Sequence, residues 1–273
     1  MRVRALAAAL LLGAVAVACS GSGGPGSGGA YVALGDSLSE GSGASDPAAA
    51  FVPLIHQALG DGSELINYGH AGDTSAEMFD HGHFDDAINE IERRNRDGDD
   101  GNDVRLITLE TGGNDLLDLY FDLVLGGTCP SVKTSLERDA ECIQPLTNAL
   151  DGYRPRLRQA LDGLHEAAPS ATIVLLTLYN PFSGRIPIFT ELGDFSLEGE
   201  EGTPVDEGLN DIIRQEADGR DVLLVDLYPL FQDKAQALVS DDLIHPNDAG
   251  HALIAGVIIE ALADAGFPPA GAE

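Results

Sequence analysis

Five short runs rich in Val, Ile and Leu recur along the chain, around Tyr31 to Leu34, Glu64 to Tyr68, Val104 to Leu109, Thr172 to Leu178 and Val222 to Leu227. Each has the length and composition of a buried strand. Between them apolar residues take helical spacing, as at Ala87, Ile88 and Ile91, at Leu157, Leu161 and Leu164, and at Leu209, Ile212 and Ile213. The alternation predicts βαβ units in one α/β domain, a parallel sheet covered on both faces. A last helix, from about Asp248 to Ala265, is apolar on several sides and is expected to dock on the sheet. In such folds ligands gather at the carboxyl ends of the strands.

Two acidic, Gly-rich stretches, Asp97 to Asp103 and Leu192 to Val205, break the pattern and read as exposed loops. The first is laid out like a calcium loop, but its Gly stands one position early and Thr108 occupies the place of the closing Glu. The His81-Gly82-His83 pair, flanked by Asp80, Asp85 and Asp86, reads as a solvated helix–loop junction in preference to a metal site. With 273 residues the chain is long enough for a large core. Its net charge of -30 disfavours nucleic-acid binding and attachment to anionic lipid through a basic patch, so any membrane contact has to be apolar.

The N-terminus supplies such a contact. Arg2 and Arg4 precede an uncharged run from Ala5 to Ala18, too short to span a bilayer and ending in small residues, which predicts an export signal over residues 1–18. Ala16-Val17-Ala18 before Cys19 resembles the bacterial lipoprotein signal, in which the Cys becomes the lipidated N-terminus; simple cleavage and free secretion is the alternative. Residues 19–29 form a Ser/Gly tether. Cys129 and Cys142 then remain as an even pair in an exported chain, and a disulfide is the natural reading. Closing that loop would add about 3 kcal/mol on the chain-entropy view.

Residues with chemistry cluster at the ends of the expected strands. The first ends in Gly35-Asp36-Ser37-Leu38-Ser39, a turn that can expose a serine hydroxyl. The second ends in Asn67-Tyr68-Gly69-His70-Ala71-Gly72-Asp73-Thr74, where two glycines let backbone N–H groups approach a ligand. The third runs into Gly112-Gly113-Asn114-Asp115, with an amide able to donate hydrogen bonds. Near the C-terminus comes Asp241-Asp242-Leu243-Ile244-His245-Pro246-Asn247. An Asp three residues before a His can fix the imidazole tautomer, and Pro246 keeps His245 out of the following helix. His251 falls inside that helix and reads as structural.

Taken in order, these four segments resemble the blocks of the SGNH, or GDSL, hydrolases, over Tyr31 to about Leu262. The resemblance implies a three-layer αβα, flavodoxin-like five-stranded parallel sheet of order 2-1-3-4-5, in a hydrolase domain over residues 30–266 followed by a short tail at 267–273. It implies Ser37 as nucleophile, His245 as base and Asp242 as its orienting acid; full activity in Asp242→Asn would make Asp241 the first suspect for the acid. It also implies an oxyanion hole from Ser37 N–H, Gly72 N–H and the Asn114 side chain, and ester hydrolysis without a metal or other cofactor. The expected substrate is a small-molecule or lipid-like ester. A carbohydrate O-deacetylase and a non-catalytic binding protein on the same scaffold are the alternatives. The apolar stretch Leu116 to Leu125 packs in the core or walls an acyl groove, and the segment from Phe182 to Val205 is a candidate lid. Nothing in the sequence indicates the oligomeric state.

Overall fold

The computed structural model describes residues 28–60, 62–121, 126–127 and 140–267, and of residues 140 and 141 the backbone only. The expected signal, residues 19–27 of the tether with Cys19, and Cys129 lie outside the described residues. Five parallel strands form one sheet: β1 (Ala30–Gly35), β2 (Glu64–Gly69), β3 (Val104–Leu109), β4 (Thr172–Leu176) and β5 (Leu223–Val225). Their order is β2-β1-β3-β4-β5, so the direction of strand addition reverses beside β1. That reversal opens a crevice at the carboxyl ends of β1 and β3.

In chain order the helices are α1 (Ser37–Glu40), α2 (Phe51–Leu59), α3 (Glu77–Asp80), α4 (His83–Asn95), α5 (Gly113–Tyr120), α6 (Ala140–Ala167), α7 (Pro187–Glu198), α8 (Leu209–Ala217), α9 (Tyr228–Phe231), α10 (Ala235–Leu238) and α11 (Asp248–Asp264). Because side chains alternate across a strand, each central strand feeds two cores. Val32, Leu34, Ile107, Leu109, Ile173 and Leu175 meet α4, α6 and α8 on one face. Tyr31, Ala33, Leu106, Val174 and Leu176 meet α2 and α11 on the other. Each fully buried Leu or Ile contributes about 1.5 to 3 kcal/mol, so the sheet is rigid where the site is built on it. Buried Cys142 belongs to the first of these cores.

Three sequence expectations need correction. The run at Glu64 to Tyr68 is a strand, but an edge one, and its residues are half-buried or exposed where a buried strand was expected. β4 and β5 are shorter than the apolar runs that mark them. At Thr177 the hydroxyl donates to Asp226 (2.7 Å) and accepts the Leu227 N–H (2.8 Å), and the two chains separate there. Leu192 to Glu198 is helical and not loop, because Leu192, Ser196 and Leu197 form a buried stripe at helical spacing in α7. The Asp97 to Asp103 segment is a turn region whose carboxylates take up its own N–H groups: Asp97 accepts from Asp99 and Asn102, and Asp99 from Gly101. Among the described residues no helix is long and apolar enough to cross a membrane.

Candidate active site

The turn after β1 is forced by its neighbours. A Cβ on Gly35 would lie 2.3 Å from the Glu110 carbonyl oxygen and 2.5 Å from Ser39 Oγ, so only glycine lets β1 run this close to the end of β3. Asp36 then caps α1, its Oδ1 accepting the Leu38 N–H at 3.1 Å. Ser37 is the first residue of that short helix and is nearly buried. Its Oγ lies 2.8 Å from His245 Nε2, across 208 positions of sequence.

His245 is held from several sides. Its Nδ1 lies 2.7 Å from Asp242 Oδ2, and since a carboxylate only accepts, Nδ1–H donates and Nε2 is left to accept the Ser37 hydroxyl. Asp242 Oδ1 accepts the N–H groups of Ile244 and His245, each at 2.9 Å, a local turn that aims the carboxylate at the ring. Leu243 supports this turn at φ 71, a left-handed conformation that costs a branched residue about 1 to 2 kcal/mol. Tyr179 Oη donates to the Ile244 carbonyl at 2.8 Å, and the Ser240 N–H donates to the His245 carbonyl at 2.8 Å. Partial burial opposes the charge on Asp242, but the two N–H groups and the ring outweigh it and bring its carboxyl down to about 2. It is therefore an anion at any working pH. His251, by contrast, is fully buried on α11, where it donates to the Ser42 carbonyl and accepts the Phe51 N–H, away from this chain of bonds.

The β2 and β3 loops approach the same serine. Asn67 ties β2 to α1 through its Nδ2 on the Ser39 carbonyl (2.7 Å), while Gly72 turns at φ 89. Asn114, in the first turn of α5, donates one Nδ2 hydrogen to the Asp73 carbonyl at 2.9 Å. Neither the Ser37 nor the Gly72 N–H has a protein acceptor among the described residues, so both are free to donate. Ser37, Asn114 and His245 open into a cavity. Its walls are largely apolar: Leu116, Leu117 and Tyr120 from α5, Leu178, Leu197 from α7, and Ile244. Leu116 and Tyr120 are buried as well, so the α5 stripe serves both core and cavity wall. Gly193 and Leu197 make α7 a packed wall of the same cavity.

The sequence reading missed a buried carboxyl pair beneath the serine. Glu110 follows β3 and is buried, as is Asp36, and the two carboxyl groups interact directly. Burial pushes Asp36 up to about 6, and burial together with the charge of Asp36 pushes Glu110 well above the ordinary carboxylate range. Such a pair shares a proton. The one sequence trace of it is a lone Glu directly after an apolar strand; its pairing with Asp36 comes from the neighbouring of β1 and β3 in the sheet. Because the folded state holds these protons more tightly than the unfolded chain, their stabilisation is complete below about pH 4 and is lost as pH rises through 6. Glu110→Gln keeps a donor to Asp36 without the second titration. Its stability relative to wild type should therefore rise between pH 4 and 8, measured by urea unfolding across that range. Parallel curves for the two proteins would contradict a shared proton.

Comparison with known proteins follows the same lines. The family model of the GDSL-like lipases and acylhydrolases matches residues 33–253. Among solved structures, the lipase Lip_vut3 from a goat rumen metagenome superposes with a TM-score of 0.61 at 21% identity, covering 85% of this chain and 97% of its own. Phospholipase A1 from Streptomyces albidoflavus NA297 gives 0.52 at 18% identity, over 87% of this chain and 99% of its own. The salicylyl-acyltransferase SsfX3 of a tetracycline biosynthetic pathway gives 0.52 at 18%, over 91% of this chain and 57% of that one. No curated protein matches the sequence. At these identities the structural likeness carries the fold, and the family match carries the chemistry: the chain belongs to the GDSL-like lipase/acylhydrolase family and is a hydrolase of ester bonds.

Proposed function

We propose that the protein cleaves carboxylic esters with an apolar acyl part through a Ser37 acyl-enzyme. The observation that carries this reading is the bond chain Ser37–His245–Asp242 opening into the cavity walled by Leu116, Leu117, Tyr120, Leu178, Leu197 and Ile244. As Ser37 Oγ attacks the ester carbonyl, Nε2 of His245 takes its proton, and the imidazolium is stabilised by the Asp242 carboxylate. The negative oxygen of the tetrahedral intermediate is met by the Ser37 and Gly72 N–H groups and by the second Asn114 Nδ2 hydrogen. His245 returns the proton to the departing alcohol. A water, deprotonated in the same way, then attacks the acyl carbon and releases the acid and free Ser37.

Asn114→Ala should lower kcat about a hundredfold or more with the melting temperature little changed, since a donor to a developing oxyanion supplies on the order of 3 kcal/mol. A variant turning over at the wild-type rate would remove Asn114 from the hole. The substrate reading is tested with p-nitrophenyl esters from acetyl to palmitoyl. An apolar cavity predicts kcat/KM rising from acetyl to medium chains; a maximum at acetyl, falling steeply beyond, would favour the O-deacetylase reading instead.

The chain is further proposed to be exported, processed after residue 18 and anchored to the extracytoplasmic face of the membrane by lipid on Cys19, with the hydrolase domain spanning residues 30–266. Support comes from the charged, apolar and small-residue order of residues 1–19 and from the tether that follows. Labelled palmitate incorporated by wild type but not by Cys19→Ser is the expected result, and equal incorporation overturns it. A Cys129–Cys142 disulfide belongs to the same reading; non-reducing peptide maps should contain the joined peptide, and two separate thiol peptides would refute it.

A further inference from the structure

Beside the oxyanion loop, and apart from the serine chain, three metal-ligating side chains converge. Asp73, buried in the loop after β2, presents one carboxylate oxygen to Nδ1 of His81 (3.0 Å) and the other to Nδ1 of His83 (2.5 Å). One potential ligand atom from each residue lies within 4.8 Å of the others. The local chain is arranged for this. His81 ends α3, His83 begins α4, and Gly82 between them sits at φ 81, a left-handed turn that brings both rings to the same carboxylate. His70 stacks flat on the His83 ring, centroids 3.4 Å apart, and fixes its plane. The loop itself is pinned on both sides of Asp73, by Asn114 on the Asp73 carbonyl and by Asp115 on Ser75.

The carboxylate has no permanent counter-charge. Among the described residues no Lys or Arg nitrogen comes within 4.0 Å of Asp73, and its only ion-pair partners are the two imidazoles. Sequence adjacency grouped this His pair with Asp80, Asp85 and Asp86; the fold supplies the buried Asp73 instead. Two imidazole nitrogens and one carboxylate oxygen, with one ring half-exposed to solvent, form the donor set of a zinc site that keeps an open position.

We propose that Asp73, His81 and His83 bind a divalent transition metal of the zinc class, which braces the loop carrying Gly72. On binding, the ion takes the Nδ1 lone pair of each ring and an Asp73 oxygen; each neutral ring then carries its one N–H on Nε2, and a ring that was imidazolium releases its Nδ1 proton to solvent. Ligands of a tetrahedral zinc at about 2.0 to 2.1 Å stand roughly 3.3 Å apart, and the three ligand atoms already lie within 4.8 Å of one another. The high negative charge of the chain favours arrival of the cation.

The test uses the untagged full chain stripped with a chelator and titrated with zinc chloride against a chromophoric chelator, with His83→Ala alongside. Neither His81 nor His83 touches the serine chain, so metal-free ester hydrolysis by the variant should stay within about twofold of wild type and certify its fold. One equivalent of zinc with micromolar affinity is expected for wild type, at least tenfold weaker in His83→Ala. Zinc at about a hundred times the wild-type Kd should also raise the wild-type melting temperature by about 5 °C and the variant's by about half of that or less. If His83→Ala is impaired in folding, His81→Gln at the exposed ring replaces it with the same expectations. Absence of stoichiometric binding, or equal affinity in wild type and variant, overturns the site.

Discussion

Ser37→Ala is expected to lower kcat for ester hydrolysis by about 10⁶-fold, with binding of a non-hydrolysable ester analogue within a few-fold of wild type. No other hydroxyl is hydrogen-bonded to His245 among the described residues, so the variant loses the nucleophile and the group that delivers a proton to Nε2. What survives is the rate supplied by the oxyanion donors and the cavity alone, and removal of the nucleophile in a triad of this type costs a factor of that order. The fold should tolerate the change. Among the described residues Ser37 makes its side-chain bond only to His245, and the α1 cap belongs to Asp36. Stopped-flow release of p-nitrophenol separates the outcomes: wild type gives a burst followed by turnover, the variant neither. A burst retained in Ser37→Ala would assign the acyl group to another residue.

Asp242→Asn is the second large effect, on the order of 10³- to 10⁴-fold in kcat. In the folded enzyme Asp242 Oδ1 accepts two backbone N–H groups, and Oδ2 accepts the ring. An asparagine keeps its carbonyl oxygen on the two N–H groups and so turns its NH₂ toward Nδ1. The imidazole must then accept at Nδ1 and carry its proton on Nε2, where it no longer takes the Ser37 proton. The loss is a matter of tautomer as well as charge, so Asp242→Ala, which forces no tautomer, should be no worse than Asp242→Asn. Asp241 cannot stand in, because the turn with Leu243 at φ 71 aims Asp242 alone at the ring. Full activity in Asp242→Asn would move the acid to a different residue.

The strand pattern was legible because period and composition are local. Val104 to Leu109 has the bounds expected from sequence, and the last helix ends within one residue of expectation. The serine turn and the Asp–His spacing were legible for the same reason: an i, i+3 pair before a Pro and a Gly before an Asp-Ser carry their geometry in adjacent residues. What escaped depends on contacts across the chain. Nothing near Asp36 announces Glu110, 74 positions on, and the two meet only because β1 and β3 are neighbours in the sheet. Asp73 and the His81–His83 pair look unrelated until Gly82 turns the chain back on the loop. The stretch from Leu192 to Glu198 reads as loop because Gly193, Asp194 and Ser196 lower helix propensity, and burial of Leu192 and Leu197 overrides that.

The claim that organises the rest is that Ser37 is the residue that becomes acylated. It is tested most directly by incubating the protein with a p-nitrophenyl phosphonate and locating the adduct by peptide mass spectrometry while following activity. The account predicts one phosphonyl group per chain, on the peptide carrying Gly35-Asp36-Ser37 and on Ser37 itself, with inactivation in proportion to labelling. Complete inactivation with Ser37 unmodified, or full labelling of Ser37 with activity intact, would contradict it.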